Sequence, residues 1–453
     1  MAIIKDMTEG NVTKSIIRFA LPLLLGNILQ QTYNIVDTII VGKCLGDDAL
    51  AAVGATGSIT YLFYTLCIGL SIGAGIIISQ YFGAGEKKSV RKAISNSAIV
   101  TAVFGIVISL LSVFLAKPVL SLLGVPEKLL EQSAEYMKIA CSGTICVAAY
   151  NWVNSVMRAL GNSVTPLIFL GVATVINVVL DLLFVVYFGM GVGGAAFATV
   201  LSQGISAFGC IVYCFKSNRE LRPKGRELRP EFSLIKRCVM TGIPIAMQNG
   251  LISISMVALQ SVTNSFGSTI MAAYTVSMRV EQFVQQPFSS INAAMSTFTG
   301  QNIGAGKEKR AVDGLKVGLE ISSVFAVIVF LLFAVFGKSI LGIFVSGSDV
   351  ISVGYKALLI TGIFYIPLGA IHTVRGFLNG AGDTGYALVN GFAEVVCRVG
   401  FSLILTRISF IGFWGIWITT SITWIVTALV SIIRYFGGRW RMKSLITKKQ
   451  SSS

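Results

Sequence analysis

The sequence predicts an all-α membrane protein with twelve transmembrane helices, arranged as two parallel six-helix repeats around a central cleft. Three observations predict it: the composition, the spacing of long apolar runs, and an internal repeat over most of the chain. Of the 453 residues, 54% are hydrophobic and only 12% are charged, whereas a soluble domain has about 25% charged residues. With a mean hydropathy of +0.78, the chain is expected to lie in a lipid bilayer.

Each predicted span is a continuous apolar run. A bilayer core about 30 Å thick needs roughly 20 apolar residues per helix, and runs such as AIVTAVFGIVISLLSVFL approach this length. A membrane β-barrel would instead show alternating segments of about 10 residues. In chain order the spans are expected near residues 15–42, 50–82, 92–122, 131–160, 164–187, 190–215, 236–266, 270–303, 313–344, 352–380, 384–406 and 411–436.

A polar segment separates the sixth span from the seventh. It reads FKSNRELRPKGRELRPEFSLIKR, and it holds two prolines and the strongest basic cluster of the chain. We therefore expect four regions: an N-terminal six-helix bundle at 1–215, a cytoplasmic linker at 216–235, a C-terminal six-helix bundle at 236–438 and a basic cytoplasmic tail at 439–453.

The distribution of Lys and Arg predicts the orientation. Basic loops stay on the cytoplasmic side, so both termini and the linker are expected there, in a multi-pass protein of the bacterial cytoplasmic (inner) membrane. No removable signal peptide is expected, because the N-terminus lacks a short apolar run that ends in a cleavage site. Besides the linker, the basic residues of this side are Lys5, Lys14, Lys87, Lys88, Arg91, Lys92, Lys307, Lys309, Arg310, Arg439, Arg441, Lys443, Lys448 and Lys449.

The net charge of +16 does not indicate nucleic-acid binding, because the basic residues lie where insertion topology and anionic lipid account for them. The expected partners are the bilayer and small drug-like molecules, with no nucleic acid, and the chain is expected to be a monomer. The eight Cys show no metal-ligand spacing. No cofactor and no P-loop for ATP is expected.

The two halves of the chain repeat each other. The segment SQYFGAGEKKSVRKA matches GQNIGAGKEKRAVDG at a shift of 221 residues, which places Gln80 on Gln301. ALPLLLGN around Pro22 falls on GIPIAMQN around Pro244, and RALGNSVT falls on NGAGDTGY. Because each half has an even number of spans, the repeats are parallel and related by an axis along the membrane normal, which predicts a cleft between two bundles.

Two carboxylates lie inside the spans of the first half. Asp37 follows Tyr33 by four residues and Asp181 follows Asn177 by four, so each shares a helix face with a polar partner. An intramembrane charge costs roughly 2.5 to 3.5 kcal/mol on insertion scales, so such residues indicate function. Two ionised carboxylates in one bundle repel each other. We therefore expect them to share a proton or to hold a cation between them, and Na⁺ would be held by Asp37, Asn177 and Asp181.

The first-span pattern ALPLLLGN…QQTYNIVDTIIVG, the GAG and RALGN turns and the parallel duplication together resemble the multidrug and toxic compound extrusion family, over about residues 10 to 440. The resemblance implies antiport of H⁺ or Na⁺ against cationic or amphipathic drugs. It also implies a hinge in the first helix at Pro22. The cation or proton site that it implies consists of Tyr33, Asp37, Asn177, Asp181 and Thr199.

The second half departs from the family pattern. One branch of the family places a Glu in the seventh span and an Asp in the tenth, where this chain has Ile252 and Leu368. Other residues there remain candidates for a substrate cleft or a charge network: Met256, Arg279, Glu281, His372, Arg375, Glu394 and Arg398. Glu394 and Arg398 are four residues apart and are expected to pair, either as a structural ion pair or as part of a relay or substrate site.

Two other functions compete with an antiporter. A flippase for lipid-linked sugars shares the multi-span plan, but it usually needs a strongly cationic central cavity, and the N-terminal bundle has few Arg or Lys within its spans. A membrane-embedded enzyme would use paired carboxylates as acid and base, but the duplication without a single active-site loop argues against it. We therefore expect a transporter, not an enzyme.

Overall fold

The computed structural model describes residues 5–122, 125–217 and 222–444, and no strand occurs among them. Residues 218–221 of the predicted linker and residues 445–453 of the predicted tail, with Lys448 and Lys449, lie outside the described residues. The α-helices are α1 (Val12–Leu45), α2 (Asp47–Gly83), α3 (Lys87–Leu122), α4 (Glu127–Ser142), α5 (Thr144–Ala159), α6 (Val164–Asp181), α7 (Gly191–Ser217), α8 (Phe232–Asn264), α9 (Ser268–Gly304), α10 (Glu308–Gly342), α11 (Ser348–Gly362), α12 (Tyr365–Gly380), α13 (Gly385–Leu405) and α14 (Gly415–Phe436).

The helices form two sets of six spans, as predicted. Among the described residues, nine helical segments are long and apolar enough to cross a membrane, and α11 with α12 forms a tenth span that bends by 51°. The pair α4 and α5 and the more polar α9 complete the twelve. The predicted spans 131–160 and 352–380 are therefore each two helices. A hydropathy pattern does not register the break at Phe364, because the residues around it remain apolar, whereas Gly143 lies between the polar residues Ser142 and Thr144.

The repeat is visible in the packing and in the turns. In the first repeat α2 packs on α3 and α5, and in the second α9 packs on α10 and α12. The turns after α2 and α9 end alike, since Gly85 has φ 71° and Gly306 has φ 73°. Both glycines occupy the left-handed region, which L side chains rarely adopt, so the GAG motif recurs as the C-terminal cap of a helix.

The residue contacts divide the chain into two compact units. Unit 1 consists of Met1–Asp6 and Leu25–Ala246, and unit 2 consists of Met7–Leu24 and Met247–Ser453. The first helix of each repeat is thus shared between the units. In both helices the change of unit falls two residues after a proline, Pro22 in α1 and Pro244 in α8.

Close helix packing in each unit depends on small residues. In unit 1, a Cβ placed on Gly73 of α2 would lie 2.6 Å from the backbone nitrogen of Gly242 in α8. In unit 2, a Cβ on Gly380 of α12 would lie 2.4 Å from the carbonyl oxygen of Ser296 in α9. Small residues allow two backbones in a membrane to approach each other, which maximises van der Waals contact where the hydrophobic effect contributes little.

The C-terminal part of the predicted linker packs against α3 within unit 1. Arg91 of α3 donates two hydrogen bonds of 2.7 Å to the carboxylate of Glu227, which lies in the short 3₁₀ helix Gly225–Leu228. Lys92 pairs with Glu231 at 2.7 Å, and the Glu231 backbone N–H donates to Asn96. The Arg91 bonds hold the pKa of Glu227 at about 2.

Candidate functional site

The two carboxylates of the first repeat meet inside unit 1. Asp181 is the last residue of α6 and is completely buried, whereas Asp37 of α1 is half-buried. Their carboxyl groups lie within hydrogen-bonding reach of each other. Because a carboxylate only accepts hydrogen bonds, this contact requires a proton on one of the two groups or a cation between them.

The three polar residues named with this pair surround it. The Tyr33 hydroxyl donates to Thr199 Oγ1 at 3.2 Å. When the side-chain amide of Asn177 is rotated so that its nitrogen and oxygen exchange places, its N–H donates to Asp181 Oδ2 at 2.8 Å. Its oxygen then accepts from the Thr199 backbone N–H at 3.3 Å. The structure therefore brings together all five residues that the family resemblance implies, from helices α1, α6 and α7.

The pair retains unused acceptor capacity. Oδ1 of Asp37 and Oδ1 of Asp181 are both buried, and neither has a hydrogen-bond partner among the described residues. Carboxylate, amide and hydroxyl oxygens are ligands suited to a hard cation. The donor set therefore fits a proton or a Na⁺ ion, although the described residues include no group of three His, Cys, Asp or Glu for a transition metal.

The chain changes its helical geometry next to Asp181. Residues Leu182–Tyr187 form a π-helical turn, in which the Phe188 N–H donates to the Leu183 carbonyl five residues earlier. Single π turns within α-helices are frequent at functional sites, because they insert one residue and redirect a side chain. The distortion begins directly after the second carboxylate, Asp181.

One residue of this site had no signal in the sequence. Tyr136 of α4 lies close enough to Asp37 and Asp181 to interact electrostatically with both. It stands between the charged residues Glu135 and Lys138 in a short amphipathic helix, so its pattern is that of an ordinary surface helix. Only the packing of α4 places the phenol beside the acidic pair.

The candidate charges of the second half fall into two groups. Glu394 and Arg398 of α13 lie 3.0 Å apart in unit 2, as their spacing predicts, and Arg375 of α12 lies 3.8 Å from the same carboxylate. Arg279 instead lies exposed on α9, while Glu281, two residues later, is buried. Although Arg279 and Glu281 are close in sequence, they therefore lie in different environments.

Hydrogen bonds extend the network around the two arginines. Arg398 is completely buried and donates to Ser255 Oγ of α8 at 2.6 Å. Arg375 donates to Asn390 Oδ1 at 2.6 Å, and Gln248 donates to the same oxygen at 3.0 Å. The network is thus a buried polar layer of α8, α12 and α13.

Of the remaining candidates, His372 lies close enough to Arg375 to interact with it electrostatically. The ring of His372 stacks on Phe288, with ring centroids 6.1 Å apart. Met256 is half-buried on α8. Pro22 lies inside α1, where its ring removes one backbone hydrogen bond; its role as a hinge stays a prediction.

A family model described as MatE matches this chain twice, over residues 22–183 and 244–404. The chain belongs to the MatE family. The two matches are the two repeats that the 221-residue shift predicts. Each match begins at the proline of the first helix of a repeat and ends near the end of its fifth span.

Relatives and solved structures of the MatE family cover the whole chain. The probable multidrug resistance protein YpnP of Bacillus subtilis is 30% identical over 98% of this chain and 99% of its own length. YoeA of the same organism, also a probable multidrug resistance protein, is 28% identical over 97% and 96%. A crystal structure of MATE in the bent conformation shares 23% identity and a TM-score of 0.89, and the match covers 97% of this chain and 98% of that one. The chain is a multi-pass membrane transporter of the MatE family.

Proposed function

We propose that this MatE transporter exports small cationic or amphipathic organic compounds in exchange for H⁺ or Na⁺, by alternating access. The observation that carries the proposal is the contact between Asp37 and Asp181, each with an unpartnered carboxylate oxygen in the interior of unit 1. The names of the relatives YpnP and YoeA support drug-like substrates. The expected setting is the bacterial cytoplasmic membrane, with both termini in the cytoplasm.

The acidic pair couples the ion to the substrate through its charge. With the ion absent the two carboxylates repel each other, and with a proton or Na⁺ bound the repulsion is relieved, so the ion favours one arrangement of α1 and α6. Asn177 and Thr199 hold Asp181 from α6 and α7, which leaves Asp37 on α1 as the carboxylate that moves. Pro22 is the proposed hinge for that movement of α1.

The proposal is tested by ethidium transport in everted membrane vesicles. A pH gradient and a Na⁺ gradient are imposed separately, in the presence of an ATPase inhibitor. We expect one of the two gradients to drive ethidium accumulation in vesicles with the transporter, and vesicles without it to show none. Accumulation that requires ATP, or that responds to neither gradient, would refute ion-coupled export.

A further inference from the structure

A second carboxylate lies buried in unit 2, at Glu281 of α9. Glu281 is only 4% exposed, and its Oε1 has no hydrogen-bond partner among the described residues. In the first repeat the equivalent position holds Thr60, so the carboxylate is not a remnant of the duplication. An intramembrane acid of this kind is costly unless its protonation is used.

The groups around Glu281 stabilise both of its charge states. Arg398 of α13 acts on it electrostatically and favours the ionised carboxylate. The Thr361 hydroxyl of α11 lies within hydrogen-bonding reach. That hydroxyl can donate to an ionised Glu281, or it can accept from a protonated Glu281 while it donates to the Ala357 carbonyl at 3.2 Å.

The other helices packed against α9 contribute few charges. Tyr365 of α12 and Tyr274 of α9 itself interact electrostatically with Glu281. Among the described residues, α10 presents no titratable side chain to it. Glu281 is thus buried among one cation, two phenols and one hydroxyl.

The charge balance of the network changes with the protonation of Glu281. Arg375 and Arg398 carry two positive charges and Glu394 carries one negative charge, with Arg398 held at 3.0 Å from Glu394. An ionised Glu281 makes the four groups neutral, and a protonated one leaves a net charge of +1. Arg398 thus provides a counter-charge for the ionised Glu281, which lowers the cost of a carboxylate charge in the interior.

We propose that Glu281 is a second proton-binding residue, which takes up one proton from water and releases it on the other side of the membrane in each transport cycle. This inference rests on the proposed ion-coupled export. It places a proton carrier in unit 2 in addition to the acidic pair of unit 1. Glu281 differs in position from Ile252 and Leu368, where one branch of the family has its acidic residues.

The test measures protons released when ethidium binds to the purified full chain in weakly buffered detergent solution. Glu281→Gln removes the titratable group but keeps the shape, so proton release per bound ethidium should fall by about one. Because ethidium binding and proton release are linked, the ethidium affinity of Glu281→Gln should vary less with pH than that of the wild type. The matched control is Glu320→Gln, an exposed acid on α10, which should release protons as the wild type does. Unchanged release in Glu281→Gln would overturn the proposal.

Thr361 gives an independent measurement. Thr361→Val removes the hydroxyl that bonds Glu281 and should shift the pH profile of ethidium release from the protein, whereas Thr361→Ser keeps the hydroxyl and should keep the wild-type profile. A purely structural Glu281 would leave both profiles unchanged, and that result would overturn the proposal even if Glu281→Gln failed to fold. Proton release on binding needs no gradient. It therefore decides the role of Glu281 separately from ion-driven export in vesicles, whose absence would refute the proposed function instead.

Discussion

At the scale of single residues, Asp37 and Asp181 are expected to carry the coupling. Asp37→Asn and Asp181→Asn each keep the shape of the side chain but remove the titratable and cation-binding group, so ion-driven ethidium efflux should fall at least tenfold, equivalent to about 1.4 kcal/mol. The measurement is efflux in everted vesicles, with gel filtration to verify folding. Asp47→Asn, at an exposed position of α2, is the control. Wild-type efflux by both site variants would contradict the assigned site.

The linker residue Glu227 should give a pH-dependent contribution to stability. Its pKa is about 2 in the folded protein against an ordinary value of 4.5. A lowered folded pKa stabilises the protein fully above about 4.5, and this stabilisation is lost as the pH falls towards 2. Glu227→Gln should therefore lower the melting temperature at pH 7, and this effect should shrink as the pH falls towards 2, where about half of the folded wild type is protonated. The pair is exposed enough that the difference should be small.

Melting curves of the wild type and Glu227→Gln in detergent, from pH 7 downwards, measure this difference. The control is Glu86→Gln, which replaces an exposed acid near the start of α3. The difference between its melting temperature and that of the wild type should not shrink on acidification as it does for Glu227→Gln. A difference between wild type and Glu227→Gln that grew on acidification would contradict the role of the Arg91 pair.

The acidic pair was predictable from the sequence because charged residues stand out in apolar spans. Tyr33 and Asn177 were indicated by their spacing of four residues from the two carboxylates, whereas Thr199 required the family resemblance. The contact between Glu281 and Thr361 had no signal at all. It joins α9 to α11, two helices whose facing sides depend on packing and not on spacing along the chain.

At the scale of elements, the crossing of α2 and α8 should be intolerant of any side chain. Gly73→Ala would place Cβ 2.6 Å and 2.7 Å from the backbone N and Cα of Gly242, and neither atom can move without shifting α8. Overpacking of this kind costs about 1 to 3 kcal/mol, so the melting temperature should fall.

Gly57→Ala in the same helix is the matched control, because its Cβ would meet nothing within 4 Å. Alanine favours a helix over glycine by up to about 1 kcal/mol, so this variant should be as stable as the wild type or more stable. Melting curves of the two variants in the same detergent make the comparison. Equal stability of Gly73→Ala and Gly57→Ala would contradict the close crossing.

Hydropathy predicted where the helices run but not how they break. The run around Phe364 is apolar enough for α11 and α12 together to make one span, so nothing in its composition separates the two helices. The break between α4 and α5, in contrast, falls between the polar residues Ser142 and Thr144. The π turn at Leu182–Tyr187 likewise has no signal in the sequence. These breaks depend on which backbone hydrogen bonds the neighbouring helices leave available, and that is a property of the packed bundle.

At the scale of the whole molecule, the two repeats share a plan but not a chemistry. The shift of 221 residues predicted the duplication because turn glycines and prolines recur with it, and the two MatE matches agree. The same shift places Arg398 at the position of Asn177 and Ser402 at that of Asp181. Duplication thus explains the scaffold, while the functional groups diverged: unit 1 holds an acidic pair, and unit 2 holds an arginine network with Glu281.

This asymmetry determines how the transporter should respond to voltage. One H⁺ or Na⁺ taken up by the acidic pair in exchange for a monovalent cation moves no net charge, so a membrane potential alone would do no work. A second proton on Glu281 leaves one uncompensated charge per cycle. A potential of about 100 mV then supplies roughly 2.3 kcal/mol, and because each tenfold ratio costs about 1.4 kcal/mol, it supports roughly a fortyfold ethidium gradient.

We therefore expect the reconstituted transporter to accumulate ethidium under a K⁺/valinomycin potential with no pH or Na⁺ gradient. Glu281→Gln should lose this response but still respond to a chemical ion gradient, because the acidic pair remains and the exchange becomes electroneutral. Asp181→Asn should respond to neither. Empty liposomes measure how much ethidium the potential draws across lipid unaided, and only accumulation above that level counts. A wild type that matched empty liposomes under the potential, yet transported under an ion gradient, would indicate one ion per cycle and would leave Glu281 without a role in coupling.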